Sequence, residues 1–297
     1  MDDAQTAIDA YTEAIRLDPT YALAFAARSR IVTDYTADSA KGVAVSEGYA
    51  KARSDAHQAI ALAPELAEGY LALGVLEERA TLDFARASEA YERALTLAPG
   101  NASVLDAYGR FSVYMGRTDS GVAAARRAVA LDPLNPSIRR HLGYALTAAR
   151  RYSEAVAAHQ EALALNPDSA TDRAFLGVAY YLLGDLRNAQ SSCEIERNRN
   201  QWTRMCLTLV YDKLARHADA QAELAKYQGD LRDDAAYQYA TIYSQWGDKA
   251  KALEWLDTAM RLRDAGLEYV KTDPLIDPLR KEPRFLAIER ELKFQSN

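Results

Sequence analysis

Few residues in this chain could carry out covalent or metal chemistry. Four histidines, His57, His141, His159 and His217, are scattered over 297 residues. Two cysteines, Cys193 and Cys206, stand thirteen positions apart, which is not a metal-ligand spacing. The sequence contains no Gly-x-Ser-x-Gly elbow, phosphate-binding glycine loop, His-Glu-x-x-His pair or dinucleotide fingerprint. We therefore assign no catalytic residue, cofactor or metal, and expect no enzyme. His159 falls on an apolar helical stripe and is expected to be a packed side chain. The acidic pairs Glu77-Glu78 and Asp233-Asp234 read as solvated helix faces. Tyrosine is the informative type, with 18 copies. With arginine and tryptophan it dominates binding hot spots, because it buries a large rigid surface and keeps a polar tip.

The elements that hold these residues are marked by proline. Pro19, Pro64, Pro99, Pro133 and Pro167 recur at intervals of 45, 35, 34 and 34 residues. Twelve, eight and five positions before each lie Ala7/Tyr11/Ala14, Ala52/Ala56/Ala59, Ala87/Tyr91/Ala94, Gly121/Ala125/Ala128 and Ala155/His159/Ala162. Three- and four-residue steps place each set on one helix face. Proline then ends the helix, since it lacks an N–H and biases the residue before it away from the α region. Each proline-ended segment reads as the second helix of a hairpin; the first helix of the next follows about six residues later, with Gly74, Gly109, Gly143 and Gly177 returning at one place. A glycine inside a helix costs about 1 kcal/mol relative to alanine, so its recurrence implies close approach of a neighbouring helix. Repeats of this length signal stacked helical hairpins, each burying its apolar face on the next.

This pattern resembles the tetratricopeptide repeat (TPR) family over nearly the whole chain. The resemblance implies an all-α, right-handed superhelical solenoid of antiparallel hairpins, about seven complete and one half, closed by a C-terminal helix. Residues 1–19 are expected to be the second helix of a truncated repeat, 20–267 the array, and 268–297 a terminal loop and capping helix. TADSAKGVAVSEG, residues 36–48, reads as a surface insertion. The start just before a second helix suggests a C-terminal fragment. The tail GLEYVKTDPLIDPLRKEPRFLAIERELKF resembles the C-terminal end of bacterial regulators carrying a winged-helix or class III nucleotide cyclase domain. It implies the partner-binding or sensory region of such a regulator. The alternatives are the regulatory part of a cyclase, or a free-standing cytoplasmic assembly adaptor.

In a TPR array the first helices line the concave side, and a stripe turned about 100° from the packing residues faces the groove. Counted from the prolines, that stripe supplies Arg110, Tyr114, Arg140, Tyr144, Tyr181, Trp202, Met205 and Tyr237. The expected ligand is a protein or peptide. The competing reading is that these aromatics touch neighbouring helices or another copy of the chain. TPR domains that hold chaperone tails use a basic and asparagine clamp, and here Ala26/Arg30, Leu71/Val75 and Asp106/Arg110 stand in its place.

A net charge of −6 with interspersed signs gives no support to nucleic-acid binding. No apolar stretch approaches the roughly 20 residues of a membrane helix. Cys193, late in one helix, and Cys206, early in the next, are about equidistant from a turn near Asn198–Asn200, so antiparallel helices would bring them alongside. They form either a disulfide or two reduced apolar side chains. The compartment stays open between cytoplasm and periplasm.

Overall fold

The computed structural model describes residues 3–39, 43–194 and 200–294. Every regular element among them is helical, and no strand occurs. The described residues form two compact units, one up to Phe111 together with the last residues from Lys293, the other spanning Ser112–Leu292.

The first unit opens with α1 (Asp3–Leu17), followed by the antiparallel pairs α2 (Ala22–Ser39) with α3 (Val43–Leu62) and α4 (Ala67–Leu76) with α5 (Phe84–Leu97). Most of α6 (Ala102–Tyr114) follows. Helices stop where proline was expected to stop them, and Asp or Asn restarts them. Asp83 Oδ1 accepts from the Arg86 amide at 3.1 Å to open α5, and Asn101 Oδ1 accepts from Ser103 at 2.9 Å to open α6. Such side-chain acceptors satisfy amides that the first turn leaves without partners. The Phe294 ring stacks on Phe84 in this unit, centroids 4.9 Å apart.

Two sequence expectations are corrected here. Residues 36–48 are no surface insertion, because α2 runs on to Ser39 and α3 begins at Val43. Thr36 is buried, and Gly48 lies against it so closely that a side chain there would strike the threonine. Of that stretch, residues 40–42 lie outside the described residues. Glu77 and Glu78 are not solvated either, each being only 4% exposed. They sit in a π-helical turn, Glu77–Thr81, that prolongs α4. Arg53 approaches Glu77 at 3.4 Å, and the Tyr91 hydroxyl donates to Glu78. Paired in this way, two carboxylates survive burial that would otherwise be costly. Asp233 and Asp234 are exposed.

The second unit continues with α7 (Thr118–Leu131), α8 (Pro136–Ala148), α9 (Tyr152–Leu165), α10 (Ala170–Leu183), α11 (Leu186–Cys193), α12 (Gln201–Lys213), α13 (His217–Leu231), α14 (Ala236–Gln245) and α15 (Lys249–Leu262). The pairs α8/α9, α10/α11, α12/α13 and α14/α15 are hairpins, and first helices also pack on one another, as α10 does on α12. Then come 3-10 turns at Ala265–Tyr269 and Pro274–Leu279, and α16 (Pro283–Glu291). Phe285 and Ile288 bury α16 completely on one side.

The recurring glycines mark contacts between helices. A Cβ on Gly74 would lie 3.0 Å from the Tyr91 ring, and one on Gly143 only 2.5–2.7 Å from the His159 ring. Such separations leave no room for a side chain while the facing ring, buried in both cases, stays where it is. Gly143→Val is expected to destabilise the protein by about 1–3 kcal/mol through overpacking. Thermal denaturation checks this, and an unchanged midpoint would remove the packing argument.

Candidate protein-binding site

The stripe residues of the second unit do not share one environment. Tyr114, Tyr144 and Tyr237 converge on a single ring, Tyr269, in the first 3-10 turn. Centroid distances to Tyr269 are 5.1 Å from Tyr114, 5.2 Å from Tyr144 and 6.3 Å from Tyr237. The first two contacts are edge-on, the arrangement favoured by the ring quadrupoles. Polar contacts extend this junction. The Tyr237 hydroxyl donates to Asp273 at 3.1 Å, and the Tyr181 hydroxyl donates to Gln245 Oε1 at 3.0 Å. Gln245 Nε2 in turn donates to the Leu275 carbonyl at 2.7 Å. Four of the eight stripe residues therefore bind the chain's own C-terminal segment directly or through one intermediary. Tyr114 and Tyr237 are 2% exposed.

Burial governs the electrostatics of this junction. It pushes the Tyr144 and Tyr237 phenols well above their ordinary range, and the neighbouring Asp273 pushes both in the same direction. Burial also raises Asp273 itself, against the hydrogen bonds it accepts from the Leu275 amide and Tyr237. The phenols stay neutral, and that of Tyr237 donates to Asp273. Asp264 fixes the entry of the segment, accepting from the Tyr237 amide at 3.0 Å and the Gly266 amide at 2.8 Å.

Arg140 and Trp202 belong to a different surface, centred on α10. Arg140 Nε donates to Asp172 Oδ1 at 2.5 Å, and Asp172 is fully buried while the arginine side chain keeps 23% of its exposure. One turn along α10, Phe175 lies with its centroid 5.5 Å from Trp202, which opens α12 behind the Asn200 cap. Phe175 also stacks on His159, centroids 6.0 Å apart. Through Asp172 and Phe175, α10 thus connects a guanidinium held by a buried carboxylate with two partly exposed aromatic rings. Met205 is buried, with Thr241 Oγ1 3.9 Å from its sulfur. Arg110 lies in the first unit, 3.8 Å from Asp106 on the same helix.

Cys193 closes α11 and Cys206 lies inside α12. Their Cα atoms are 6.0 Å apart, their sulfurs sit at bonding distance as a disulfide, and both residues are fully buried. Gly177 of α10 faces the pair, and a Cβ there would fall within 2.7 Å of the Cys206 sulfur. Of the turn expected near Asn198–Asn200, residues 195–199 lie outside the described residues.

Sequence reading missed Tyr269, Arg150, Gln245 and Asp273. Their one signal was the break in the repeat at Pro274, Pro278 and Pro283, which marks an irregular segment but not where it lies. Among the described residues no cluster of His, Cys, Asp or Glu could hold a metal ion, and no helix is long and apolar enough to cross a membrane.

An all-α array of antiparallel hairpins with glycine contacts at a fixed place defines a helical-repeat protein of the tetratricopeptide class. The general tetratricopeptide-repeat model matches residues 233–265. The chain belongs to the family described as the cilia and flagella-associated protein 70 middle TPR-like domain, whose model matches residues 76–228, more than half of it. No curated protein sequence matches the chain. Among solved structures it is similar to PilF of Pseudomonas aeruginosa, at 17% identity and a TM-score of 0.52, covering 76% of this chain and 92% of that one. It is similar to PilW, a type IV pilus biogenesis factor, at 19% identity and a TM-score of 0.54, covering 68% and 92%. A chain of the APC/C hetero-tetramer Cut9–Hcn1 gives 15% identity and a TM-score of 0.65, covering 96% of this chain and 52% of that chain. At such identities the likeness is one of fold. The repeats make the chain a protein–protein interaction scaffold.

Proposed function

We propose that this scaffold is non-enzymatic and is the partner-binding or sensory region of a larger bacterial signalling or transcriptional regulator, taking a protein or peptide ligand on the inner stripe. The observation that carries the binding reading is the α8–α10–α12 surface. Arg140 is held by a buried aspartate of α10, and Phe175 of the same helix and its neighbour Trp202 stay partly exposed. Preordered arginine and aromatic anchors lose little conformational entropy on binding. The regulator context is supported by the likeness of the C-terminal tail. Sequencing the parent gene upstream of Met1 tests that context, and a gene lacking any regulatory domain would reject it.

Binding is tested with a displayed library of extended peptides selected on the full chain. Peptides that bind the wild type are expected to lose at least about tenfold in affinity on Trp202→Ala, the loss of one hot-spot anchor. Arg140→Ala is expected to do the same, though it also leaves Asp172 buried and unpaired, so thermal stability is measured beside it. A library that yields no binder, or binders indifferent to both changes, would remove this surface from the proposal.

A further inference from the structure

Several helix–helix turns of the second unit share one backbone feature, a residue with positive φ. Gly116, Gly184 and Gly247 occupy it at φ 83°, 89° and 81°. Between α8 and α9 the residue is Arg150, at φ 60°, where a side chain is strained and glycine is not. That arginine has a specific reach. Its Nη1 donates to the Thr272 carbonyl at 2.5 Å, and its Nη2 donates to Asp277 Oδ1 and Oδ2 at 2.7 and 2.9 Å. Between α12 and α13 the same place is held by Ala215 at φ 59°, so the backbone conformation alone does not call for an arginine; what distinguishes Arg150 is that its side chain holds the irregular C-terminal segment.

The segment itself consists of two 3-10 turns, the second opened by Pro274 and carrying Pro278, and its own backbone hydrogen bonds are short-range, such as Thr272 N to the Tyr269 carbonyl at 3.0 Å and Ile276 N to the Asp273 carbonyl at 3.3 Å. The array supplies the rest by the means that recognise a peptide. Arg150 and Gln245 take backbone carbonyls, Tyr237 takes an aspartate, and three tyrosines surround a fourth. We propose that residues 265–280 are an intramolecular ligand of this face. An external peptide with tyrosine followed four residues on by aspartate, then an apolar pair, competes for the same place. The proposal rests on the reading of the chain as a peptide-binding module and gives one of its surfaces a ligand chemistry. A tethered segment acts at high effective concentration, so in the wild type an external peptide binds only to the fraction of molecules whose own segment has lifted.

The probe is a fluorescein-labelled peptide with the sequence of residues 265–281, titrated against the full chain in wild-type and Arg150→Gly forms. Glycine suits the turn, so α8 and α9 are expected to keep their hydrogen-exchange protection. Amides of residues 267–276 are expected to exchange about tenfold faster, and the probe to bind about tenfold tighter than to wild type. Adding Tyr144→Ala to Arg150→Gly should abolish probe binding. Asp277→Ala, which cuts the same clamp from an exposed position, should reproduce the effect should Arg150→Gly fold poorly. Unchanged exchange in both clamp variants would show that the segment is a fixed part of the core and overturn the proposal. Faster exchange without probe binding would also overturn it. Peptides selected through Arg140 and Trp202 are measured on the same samples. If they bind while the probe fails, only this inference falls; if both fail, the binding-module reading falls with it.

Discussion

Replacing Cys193 and Cys206 together by alanine is expected to lower the unfolding free energy by about 3 kcal/mol, the value for a bond closing a loop of roughly 15 residues. The two residues are 13 apart in sequence, with Cα atoms at 6.0 Å. The bond acts mainly by restricting the unfolded chain, so its loss should appear as a lower urea midpoint with little change in folded secondary structure. Both cysteines are fully buried, which delays attack by a reductant until the region opens. Urea melts of oxidised, reduced and double-variant protein give the stability. Thiol labelling under denaturing conditions gives the bonding state. Two labelled thiols in protein recovered from an oxidising compartment would dismiss the bond. An unchanged midpoint in the double variant would show that it contributes nothing.

The second large effect is acid sensitivity at His159. Its ring is 1% exposed and its Nδ1 has no hydrogen-bond partner. Burial drives its pKa from 6.5 to about 4, against the pull of Asp172 and with help from Arg140 and His141. The folded state therefore holds the ring neutral where the unfolded chain has already protonated. The unfolded state binds the extra proton, so the contribution of this site to stability is complete above about pH 6.5. It declines as the pH falls and is gone below about pH 4. A shift of this size corresponds to about 3 kcal/mol. Asp264, Asp273 and Glu289, whose folded pKa values burial raises, act in the opposite sense over acid pH. The measurement is therefore a difference: stability from pH 7 to 4 for the wild type and for His159→Phe. The wild type should lose about 3 kcal/mol more, and parallel curves would sink the assignment.

The hairpin architecture was legible because it rests on local rules. Proline just beyond a helical stripe ends that helix, as at Pro133 and Pro167, and a glycine that faces a large ring, such as Gly143 against His159, leaves its mark as spacing. What lies on the expected tyrosine stripe was not legible. Tyr269 reaches Tyr114 and Tyr144 only because the chain turns back after α15, and no periodicity records the path of an irregular segment. Glu77 and Glu78 were misread because a carboxylate on a helix is usually solvated. Their burial depends on Arg53 and Tyr91, which belong to other helices. Residues 36–48 were misread because a lengthened interval looks like a loop, whereas helices can absorb added residues by growing.

The glycine contacts also decide where such an array can be recombined. Gly143 is on α8 and its partner ring on α9, so a crossover between those helices would pair a glycine with a side chain selected for a different gap. Tyr91 and His159 fill that gap with different volumes, and the hairpins carrying them are exchangeable only as wholes. The sulfur pair reaches further, since Gly177, Cys193 and Cys206 span α10, α11 and α12. A hairpin transplanted with its boundary after α11 would take Cys193 and leave Cys206 behind, giving each product a lone thiol. At that point in the chain the inheritable module is three helices rather than two.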